Sequence, residues 1–561
     1  MGIIKLLQLV LLAIACLYTA IVIAQTSVTI TVPNGARQTF QGFGTSQVDF
    51  AYTNAYQQLQ QNQRDVLTKL VWGDAHFKIL RLWFDTKISF LSSGQLVVPS
   101  NFSAGYINSG IITDALQAGA STLLLAPHGL PVYMDDGNGQ LSDAYVTAYT
   151  TQLASAIKKI KDDYNIIINA SGVMNEPNNT IKKSQWASII KNFRTALDSR
   201  GLQNVKIIAP ENANCDGGAY QTFDSIKNDV TAWNSLGAFS THSYNMAADD
   251  NMVNRIKGTG KEYWITEASA NGSEISGDAK AAASLASRVL NDFNHYVTHW
   301  IWFIGYATAD PKDDQTRLIR YWNNPFKYEI LQPYYYIKQL SQTFDVGSVL
   351  RDATSSLEGD MLWTYGSRPQ LTASCGKNPD GSWGIGLSNY TANDFTNSFY
   401  AMWAHTPAET FNATIKINEL ASSGNIVMNI YRSNSNINIQ SMGTIVMNNG
   451  VVTVNNISSL DLITLRSVST TTNLVSEDKN YSILVYPNPF IINFTLKFSS
   501  EIVIKNTKMK IYDVSGREVK TISIASNETI INRDELQNGI YFYSIINNNK
   551  KIANGKLVVQ D

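Results

Sequence analysis

Cysteine is nearly absent from this chain of 561 residues, which contains only three, at positions 16, 215 and 375. These cysteines do not have the spacing of a disulfide framework or of a zinc site. The six histidines are scattered along the sequence, which argues against a metal enzyme. We therefore expect no metal and no other cofactor.

The chain also lacks an excess of charge of either sign. It has 44 lysines and arginines against 45 acidic residues, so its formal net charge is −1. Such a balance creates no field that would gather nucleic acid or an anionic membrane, and we expect no nucleic-acid partner. No glycine-rich phosphate loop opens a helical pattern, so nothing supports nucleotide binding.

The first residues read as an export signal. Lys5 supplies a positive charge, an apolar run covers residues 6–24, and small residues precede Gln25. This pattern predicts a signal peptide over residues 1–24. The alternative is a retained membrane anchor, because the run is nearly long enough to span a bilayer. We favour cleavage, since polar sequence follows at once, and expect no membrane span in the mature protein.

Residues 38–345 alternate short apolar runs with longer helical patterns, such as 144–161 and 186–199. Eight alternations predict an α/β fold, a (β/α)₈ TIM barrel that carries the catalytic site. A doubly wound sheet would also alternate in this way. The predicted strands are 39–44, 78–83, 122–127, 172–175, 205–210, 238–242, 262–266 and 300–304.

After the barrel the pattern becomes purely β. Residues 346–466 hold short alternating runs separated by Gly, Asn and Ser, which predicts an appended β-sandwich. Residues 25–37 read as a strand that contributes to this sandwich. A Ser/Thr/Asn-rich linker is predicted at 467–480, and a small all-β module at 481–561.

Two glutamates stand at the ends of predicted barrel strands. Glu176, in Asn175-Glu176-Pro177, ends the fourth, and Glu267 ends the seventh. Barrels of this type place their chemistry at the carboxyl ends of the strands. Glycoside cleavage with retention needs two carboxyl groups about 5–5.5 Å apart, one to protonate the leaving oxygen and one to attack. A single glutamate at a strand end is more often a salt-bridge partner, but the pairing of strands four and seven favours a catalytic pair.

The order of motifs resembles the clan of barrel glycosidases with catalytic glutamates on strands four and seven, and most closely glycoside hydrolase family 30. The resemblance covers residues 38–466 and implies that Glu176 is the acid/base and Glu267 the nucleophile. The chain departs from the family at His128-Gly129-Leu130-Pro131, where relatives carry Trp-Ser-Pro-Pro. The matching motifs are Gln41-Gly42-Phe43-Gly44, Arg81, Ala126-Pro127, Asn175-Glu176-Pro177, Thr241-His242-Ser243-Tyr244 and Thr266-Glu267.

The resemblance also implies supporting roles in substrate binding. Asn175 would bond the sugar 2-hydroxyl, while Arg81 and Tyr244 would keep Glu267 ionised and oriented. Trp302 resembles the aromatic floor on which a sugar ring stacks. The alternative for Arg81 is a salt bridge inside the barrel, and for Tyr244 and Trp302 it is packing in the core. Further candidates for lining the pocket are His242, His128, Tyr133 and the third acid Glu211.

The C-terminal module contains Tyr486-Pro487-Asn488-Pro489-Phe490, then Asp513-Val514-Ser515-Gly516, and finally Asn538-Gly539-Ile540-Tyr541. This series looks like the C-terminal sorting domain of the type IX secretion system. The alternative is a carbohydrate-binding or fibronectin-like sandwich. The resemblance implies that the secretion machinery is a partner and that the protein is secreted or attached to the cell surface.

The combined prediction is a secreted retaining β-glycosidase whose substrate is a β-linked polysaccharide or oligosaccharide of the xylan, β-1,6-glucan or β-1,6-galactan type. Two alternatives remain open from the sequence. The barrel could bind glycan at the cell surface without catalysis. It could also be a transglycosylase, which would use the same two carboxylates.

Overall fold

A computed structural model describes residues 25–46, 55–244, 246–269, 277–309, 317–357, 369–393, 407–468, 483–498, 504, 506–514, 516–548 and 550–560. The predicted signal peptide and most of the predicted linker lie outside these residues. The chain divides into two compact units, residues 1–471 and 472–561. Within the described ranges no helix is long and apolar enough to span a membrane.

The first unit begins with strand β1 (Thr26–Val32) and then forms a closed barrel of eight strands, which confirms the predicted TIM barrel. Neighbouring strands pair in parallel, and the last strand returns to pair with the first. The barrel strands are β2 (Gly42–Ser46), β3 (Ile79–Asp85), β4 (Thr122–His128), β5 (Ala170–Ser171), β6 (Lys206–Asn212), β7 (Ala238–His242), β8 (Glu262–Ala268) and β9 (Val297–Phe303).

The fourth barrel strand differs most from its prediction. We expected a strand at 172–175, but β5 consists of Ala170 and Ser171 alone. The apolar residues Val173 and Met174 are buried, yet they lie beyond the ladder. Because buried apolar residues occur in strands and in other packed segments alike, these two residues gave the segment the sequence pattern of a strand.

Helices follow the barrel strands because apolar residues recur at helical spacing on their inner faces. One helix, Trp186–Asp198, buries Trp186, Ile189, Ile190, Phe193 and Leu197. The helices of the described residues are α1 (Gln61–Thr68), α2 (Thr86–Ser89), α3 (Ser100–Phe102), α4 (Ile111–Ala118), α5 (Val146–Tyr164), α6 (Trp186–Asp198), α7 (Gly217–Lys227), α8 (Val230–Ser235), α9 (Asp250–Ile256), α10 (Ala279–Asn294) and α11 (Gln332–Thr343).

The interior of the barrel is packed with side chains. Seven strands contribute one buried residue each to a single cluster, and a much larger cluster lies between the strands and the helices. The barrel is therefore a solid core with chemistry possible only at its ends. The interior cluster consists of Ile79, Leu124, Ala170, Ile208, Ala238, Trp264 and Ile301.

A three-stranded sheet follows β9 and is formed by β10 (Tyr306–Thr308), β11 (Ile319–Asn323) and β12 (Phe326–Ile330). The predicted β domain appended to the barrel is confirmed, and it consists of a ten-stranded sheet around its own buried core. β1 lies within it, parallel to β17 and antiparallel to β14. The other strands of this sheet are β13 (Val349–Arg351), β14 (Thr354–Ser355), β15 (Leu371–Lys377), β16 (Trp383–Asn389), β17 (Phe411–Ile417), β18 (Asn425–Ser433), β19 (Gln440–Asn448), β20 (Val451–Ile457) and β21 (Leu462–Ser467).

The second unit is all β and has a separate core that includes Phe490, Phe494 and Ile511. It contains a three-stranded and a four-stranded sheet. The strands are β22 (Ile483–Tyr486), β23 (Asn493–Phe498), β24 (Thr507–Tyr512), β25 (Glu518–Ile524), β26 (Glu528–Asn532), β27 (Gly539–Asn547) and β28 (Lys550–Val559).

Candidate active site

Glu267 lies near the carboxyl end of β8 and is 5% exposed. Arg81 Nη1 donates a hydrogen bond to its Oε2 at 2.6 Å. The hydroxyl of Tyr244 donates to its Oε1 at 2.5 Å. Both carboxylate oxygens therefore have a donor, and one donor carries a full positive charge. Such bonds stabilise the ionised form of a buried carboxyl group.

Arg81 is fully buried in the barrel and connects several site residues. Its Nη2 donates to Asn175 Oδ1 at 2.6 Å, and lies 3.4 Å from Glu211 Oε1 and 3.5 Å from His242 Nε2. Burial alone would lower the pKa of the guanidinium, but the attraction of the nearby acidic groups, above all Glu267, outweighs it, so the pKa of Arg81 is raised. Arg81 therefore stays charged.

Glu176 lies beyond the end of β5, in the loop that follows it. Its φ of +46° is in the left-handed region, which is costly for a residue with a Cβ and is often found at functional sites. Its backbone N–H donates to the carbonyl oxygen of Glu211 at 3.1 Å, which ties the loop to the next strand. The side chain is 40% exposed, in contrast to that of Glu267.

His242 lies at the end of β7 and is fully buried beside Glu176. Its Nδ1 is 3.0 Å from Glu176 Oε1. Its Nε2 lies 3.5 Å from Arg81, and a proton on Nδ1 would be donated to Glu176. This hydrogen bond from His242 lowers the pKa of Glu176, and partial burial acts in the opposite direction.

The two glutamates converge. One carboxylate oxygen of Glu176, one of Glu267 and one ring nitrogen of His242 all lie within 4.8 Å of one another. The same three groups have the donor types of a metal site. A cation there would lie close to the charged guanidinium of Arg81, which repels it and already bonds to Glu267. The arrangement suits a pair of reacting carboxyl groups better than a metal.

Glu211 is a third acid below this pair, at the end of β6, and is fully buried. Burial raises its pKa, against the attraction of Arg81 and His242. Its Oε2 has no hydrogen-bond partner among the described residues. It fits against Gly172, where a Cβ would lie 1.8 Å from that oxygen. The carboxyl group therefore occupies space that only a glycine leaves open.

Trp302 and His128 are both in the barrel wall. Trp302, in β9, is 1% exposed and its ring stacks on Trp300 with the centroids 6.0 Å apart. The ring of His128, at the end of β4, lies 4.1 Å from that of Trp83. Burial, together with the charges of Arg81 and His242, lowers the pKa of His128 to about 2, so this imidazole is neutral.

Tyr133 is tied to a different region. Its hydroxyl donates to the carbonyl oxygen of Leu91 at 3.2 Å and also lies within hydrogen-bonding distance of Gln152 on α5. Its ring packs edge-on against Tyr145. These contacts place Tyr133 among the outer helices and loops. By contrast, Arg81 and Tyr244 contact Glu267, His242 contacts Glu176, and Asn175 contacts Arg81.

One residue next to the site was missed in the sequence. Arg288 on α10 is 5% exposed and bonds the carbonyl oxygens of Ser243 and Ser269, which flank the site residues. The available signal was its position, because it is a charged residue inside a long helical run of Ala, Ser and Leu. A single arginine in such a run did not indicate which strand ends it would reach.

Two family models match the sequence. That of glycosyl hydrolase family 59 matches residues 111–318, which include both glutamates. That of the secretion system C-terminal sorting domain matches residues 484–560. The predictions of a glycoside hydrolase and of an exported protein with a sorting tail are confirmed at this level. Among curated proteins, none is similar enough to be matched.

Solved structures share the fold at low sequence identity. The catalytic domain of a GH30 xylanase C from Talaromyces cellulolyticus is 17% identical, with a TM-score of 0.58, and the match covers 78% of this chain and 100% of that one. The family 30 subfamily 8 xylanase Xyn30A from Clostridium acetobutylicum is 18% identical, with a TM-score of 0.57 and coverage of 79% and 99%. An endo-β-1,6-glucanase is 17% identical, with a TM-score of 0.54 and coverage of 79% and 94%.

Proposed function

We propose that this protein is a secreted retaining β-glycosidase that hydrolyses β-linked polysaccharide or oligosaccharide by double displacement. Glu267 is the nucleophile and Glu176 the acid/base. The observation that carries the proposal is that one carboxylate oxygen of Glu176 and one of Glu267 lie within 4.8 Å of each other. Retaining enzymes hold them about 5–5.5 Å apart, whereas inverting enzymes need about 6.5–9.5 Å to admit a water molecule.

In the first step a carboxylate oxygen of Glu267 attacks the anomeric carbon, and the bond to the leaving oxygen breaks. Glu176 gives its proton to that oxygen. The product is a glycosyl ester on Glu267, which is neutral. In the second step Glu176, now a carboxylate, takes a proton from water, the water oxygen attacks the anomeric carbon, and Glu267 leaves as a carboxylate.

The environments of the two carboxyl groups suit these different roles. Glu267 accepts hydrogen bonds from two donors, one of them the charged guanidinium of Arg81, and has almost no contact with water, which suits a nucleophile. Glu176 is 40% exposed and has His242 as its neighbour. A bound sugar would cover this exposed side and remove water from it. Loss of water raises the pKa of a carboxyl group, which favours the protonated form that the first step requires.

Other residues would bind the sugar. The oxygen of the Asn175 side chain accepts from Arg81, so its NH₂ group is left to donate to the sugar 2-hydroxyl. Bonds to this hydroxyl strengthen as the transition state forms. The neutral imidazole of His128 can donate or accept a bond to another hydroxyl. Trp302 is 1% exposed and stacked on Trp300, which favours a structural role over the predicted stacking on a sugar ring. For Tyr133 the contacts with Leu91 and Gln152 favour a structural role.

The neighbours of known activity include xylanases and an endo-β-1,6-glucanase, so β-1,4-xylan and β-1,6-glucan are the substrates to test first. We add β-1,6-galactan from the sequence resemblance. The purified protein should be incubated with each polysaccharide and the products sized. Products longer than the substrate would favour transglycosylation. Binding to a polysaccharide gel without any product would favour a glycan-binding protein and contradict the proposal.

The decisive variants are Glu176→Gln and Glu267→Gln. We expect Glu267→Gln to abolish turnover, because an amide cannot attack, and Glu176→Gln to lower it by roughly 10²–10⁴-fold. The matched control is Glu262→Gln, in the same strand, where Glu262 bonds Lys206 and Trp264. It should keep its activity. Hydrolysis that survives both site substitutions, or a first product with inverted anomeric configuration by NMR, would refute the assignment.

A further inference from the structure

Arg288 is a buried cation outside the site, in a helix that contributes no reacting group. It lies on α10, which Asp278 caps by accepting hydrogen bonds from the N–H groups of Lys280 and Ala281. Its Nη1 donates to the carbonyl oxygen of Ser243, and also to that of Ser269 at 3.2 Å. One guanidinium nitrogen therefore joins two segments of chain.

These two carbonyl groups follow adjacent barrel strands. Ser243 comes directly after β7 and directly before Tyr244, and Ser269 directly follows β8, two residues after Glu267. The N–H of Ser243 also donates to the carbonyl oxygen of Glu267 at 3.0 Å. Hydrogen bonds from Arg288 and from the N–H of Ser243 thus connect the two strand ends that carry Tyr244 and Glu267.

Helix α10 also forms hydrogen bonds with the backbone of Ala248, a few residues beyond Tyr244. Asn291 Nδ2 donates to the carbonyl oxygen of Ala248 at 3.0 Å, and Asp292 Oδ1 accepts from the N–H of Ala248 at 3.2 Å. Asp292 Oδ2 accepts from Trp300 Nε1 at 2.9 Å. Burial raises the pKa of Asp292, and the charge of Arg288 acts against this. The positive charge of Arg288 therefore offsets part of the cost of burying the carboxyl group of Asp292.

We propose that Arg288 is a positioning residue for catalysis, which sets the contact between the Tyr244 hydroxyl and Glu267 by tying together the two strand ends that carry them. The inference rests on the proposed function. Arg288 touches neither substrate nor reacting atoms and acts through Tyr244. The bond it protects measures 2.5 Å, and its strength depends steeply on distance and angle. A displacement of about 1 Å at a reacting site can cost roughly 10²-fold in rate.

The test compares Arg288→Lys with a matched control. Lysine keeps the charge, but its side chain is one bond shorter than that of arginine, so its ammonium nitrogen cannot take the position of Nη1 between the two carbonyl oxygens. The control is Arg194→Lys. Arg194 on α6 bonds the carbonyl oxygens of Leu202 and Val205 at 2.9 and 2.8 Å, at the amino end of β6 and away from the glutamates. Arg288→Lys and Arg194→Lys both remove hydrogen bonds to backbone carbonyl groups, but only the carbonyl groups bonded by Arg288 lie beside the site.

The assay is kcat and KM on the dinitrophenyl β-glycoside that the wild-type protein turns over best, among the xyloside, glucoside and galactoside. We expect Arg288→Lys to lower kcat by about 10–100-fold and Arg194→Lys by less than about 2-fold. In a Tyr244→Phe background, Arg288→Lys should have little further effect, because the contact it protects is gone. This dependence on Tyr244 is not expected of a residue that only stabilises the fold.

Three outcomes overturn the inference. Equal kinetics for Arg288→Lys and Arg194→Lys would do so, as would additive losses for Arg288→Lys and Tyr244→Phe. Absence of any turnover by the wild-type protein would overturn the proposed function and this inference with it. If Arg288→Lys does not fold, Asn291→Ala replaces it. Asn291→Ala frees the carbonyl of Ala248 on the same segment, and its loss of kcat should likewise disappear in the Tyr244→Phe background.

Discussion

Removal of the Tyr244 hydroxyl should affect the two chemical steps unequally. Tyr244→Phe deletes one of the two donors to Glu267 and leaves Arg81 in place. In the first step Glu267 loses its negative charge, so a missing donor removes stabilisation mainly from the starting state. In the second step Glu267 regains the charge, and the missing donor removes stabilisation from the transition state. We therefore expect the ester intermediate to persist.

The magnitude follows from the type of bond. A hydrogen bond to a charged, buried group contributes about 1.5–3 kcal/mol. At about 1.4 kcal/mol for each factor of ten, full loss in the second step would slow it by roughly 10–150-fold. The value of kcat should fall by this factor and KM should fall with it, so that kcat/KM changes by less than about 5-fold.

The assay is rapid mixing with a dinitrophenyl β-glycoside. Its good leaving group makes the first step fast, and a burst of one dinitrophenolate per Tyr244→Phe molecule is expected. Intact-protein mass spectrometry should show the added sugar, on the peptide that contains Glu267. An equal fall of kcat and kcat/KM without a burst would show that Tyr244 acts mainly in the first step, and would refute this account of its contact with Glu267.

Two further predictions concern the other titratable groups. In His242→Ala the pKa of Glu176 loses the hydrogen bond that lowers it, so Glu176 keeps its proton to higher pH and the alkaline limb of kcat/KM should move upward; no movement, or a downward one, would contradict the assigned bond. Glu211→Gln should keep activity within about 5-fold near neutral pH, because burial raises the pKa of Glu211 and an amide imitates its protonated form. A raised carboxyl pKa stabilises the fold at low pH and costs stability as pH rises through it, so the Tm of Glu211→Gln relative to wild type should increase between pH 5 and pH 8, and the opposite trend would show that Glu211 is ionised in the fold.

Much of the fold could be predicted because its signals are periodic. Eight apolar runs alternating with helical patterns indicated the barrel, and strand bounds such as Ala238–His242 agreed with the prediction. The fourth strand failed for a local reason. Val173 and Met174 are as apolar as any strand residue, but the chain leaves the ladder after Ser171 and reaches a left-handed conformation at Glu176. Burial is visible in a sequence pattern, whereas the end of a hydrogen-bonded ladder is not.

The candidate site was predictable to the extent that it follows from strand order. Residues at the ends of barrel strands share one mouth, so Glu176, His242 and Glu267 could be expected to meet. The contacts of Arg81 with both Glu267 and Asn175 depend on its rotamer, which the sequence does not encode at short range. The role of Arg288 could not be predicted from the sequence for another reason. It binds backbone carbonyl groups, and every residue has one, so no side-chain motif marks its partners.

The hydrogen-bond donors around Arg81 are distributed unequally between Glu267 and Glu176. Arg81 gives its shortest ionic contact to Glu267, at 2.6 Å, and remains 3.4 Å from Glu211. His242 lies between Arg81 and Glu176, with its Nε2 3.5 Å from Arg81 and its Nδ1 3.0 Å from Glu176. The guanidinium therefore makes its closest contact with Glu267, the proposed nucleophile, whereas Glu176, the proposed acid/base, contacts His242 and has an open side. Because that side is where a sugar would bind under the proposed function, we expect substrate binding to change the surroundings of Glu176 more than those of Glu267, whose two donors come from the fold itself.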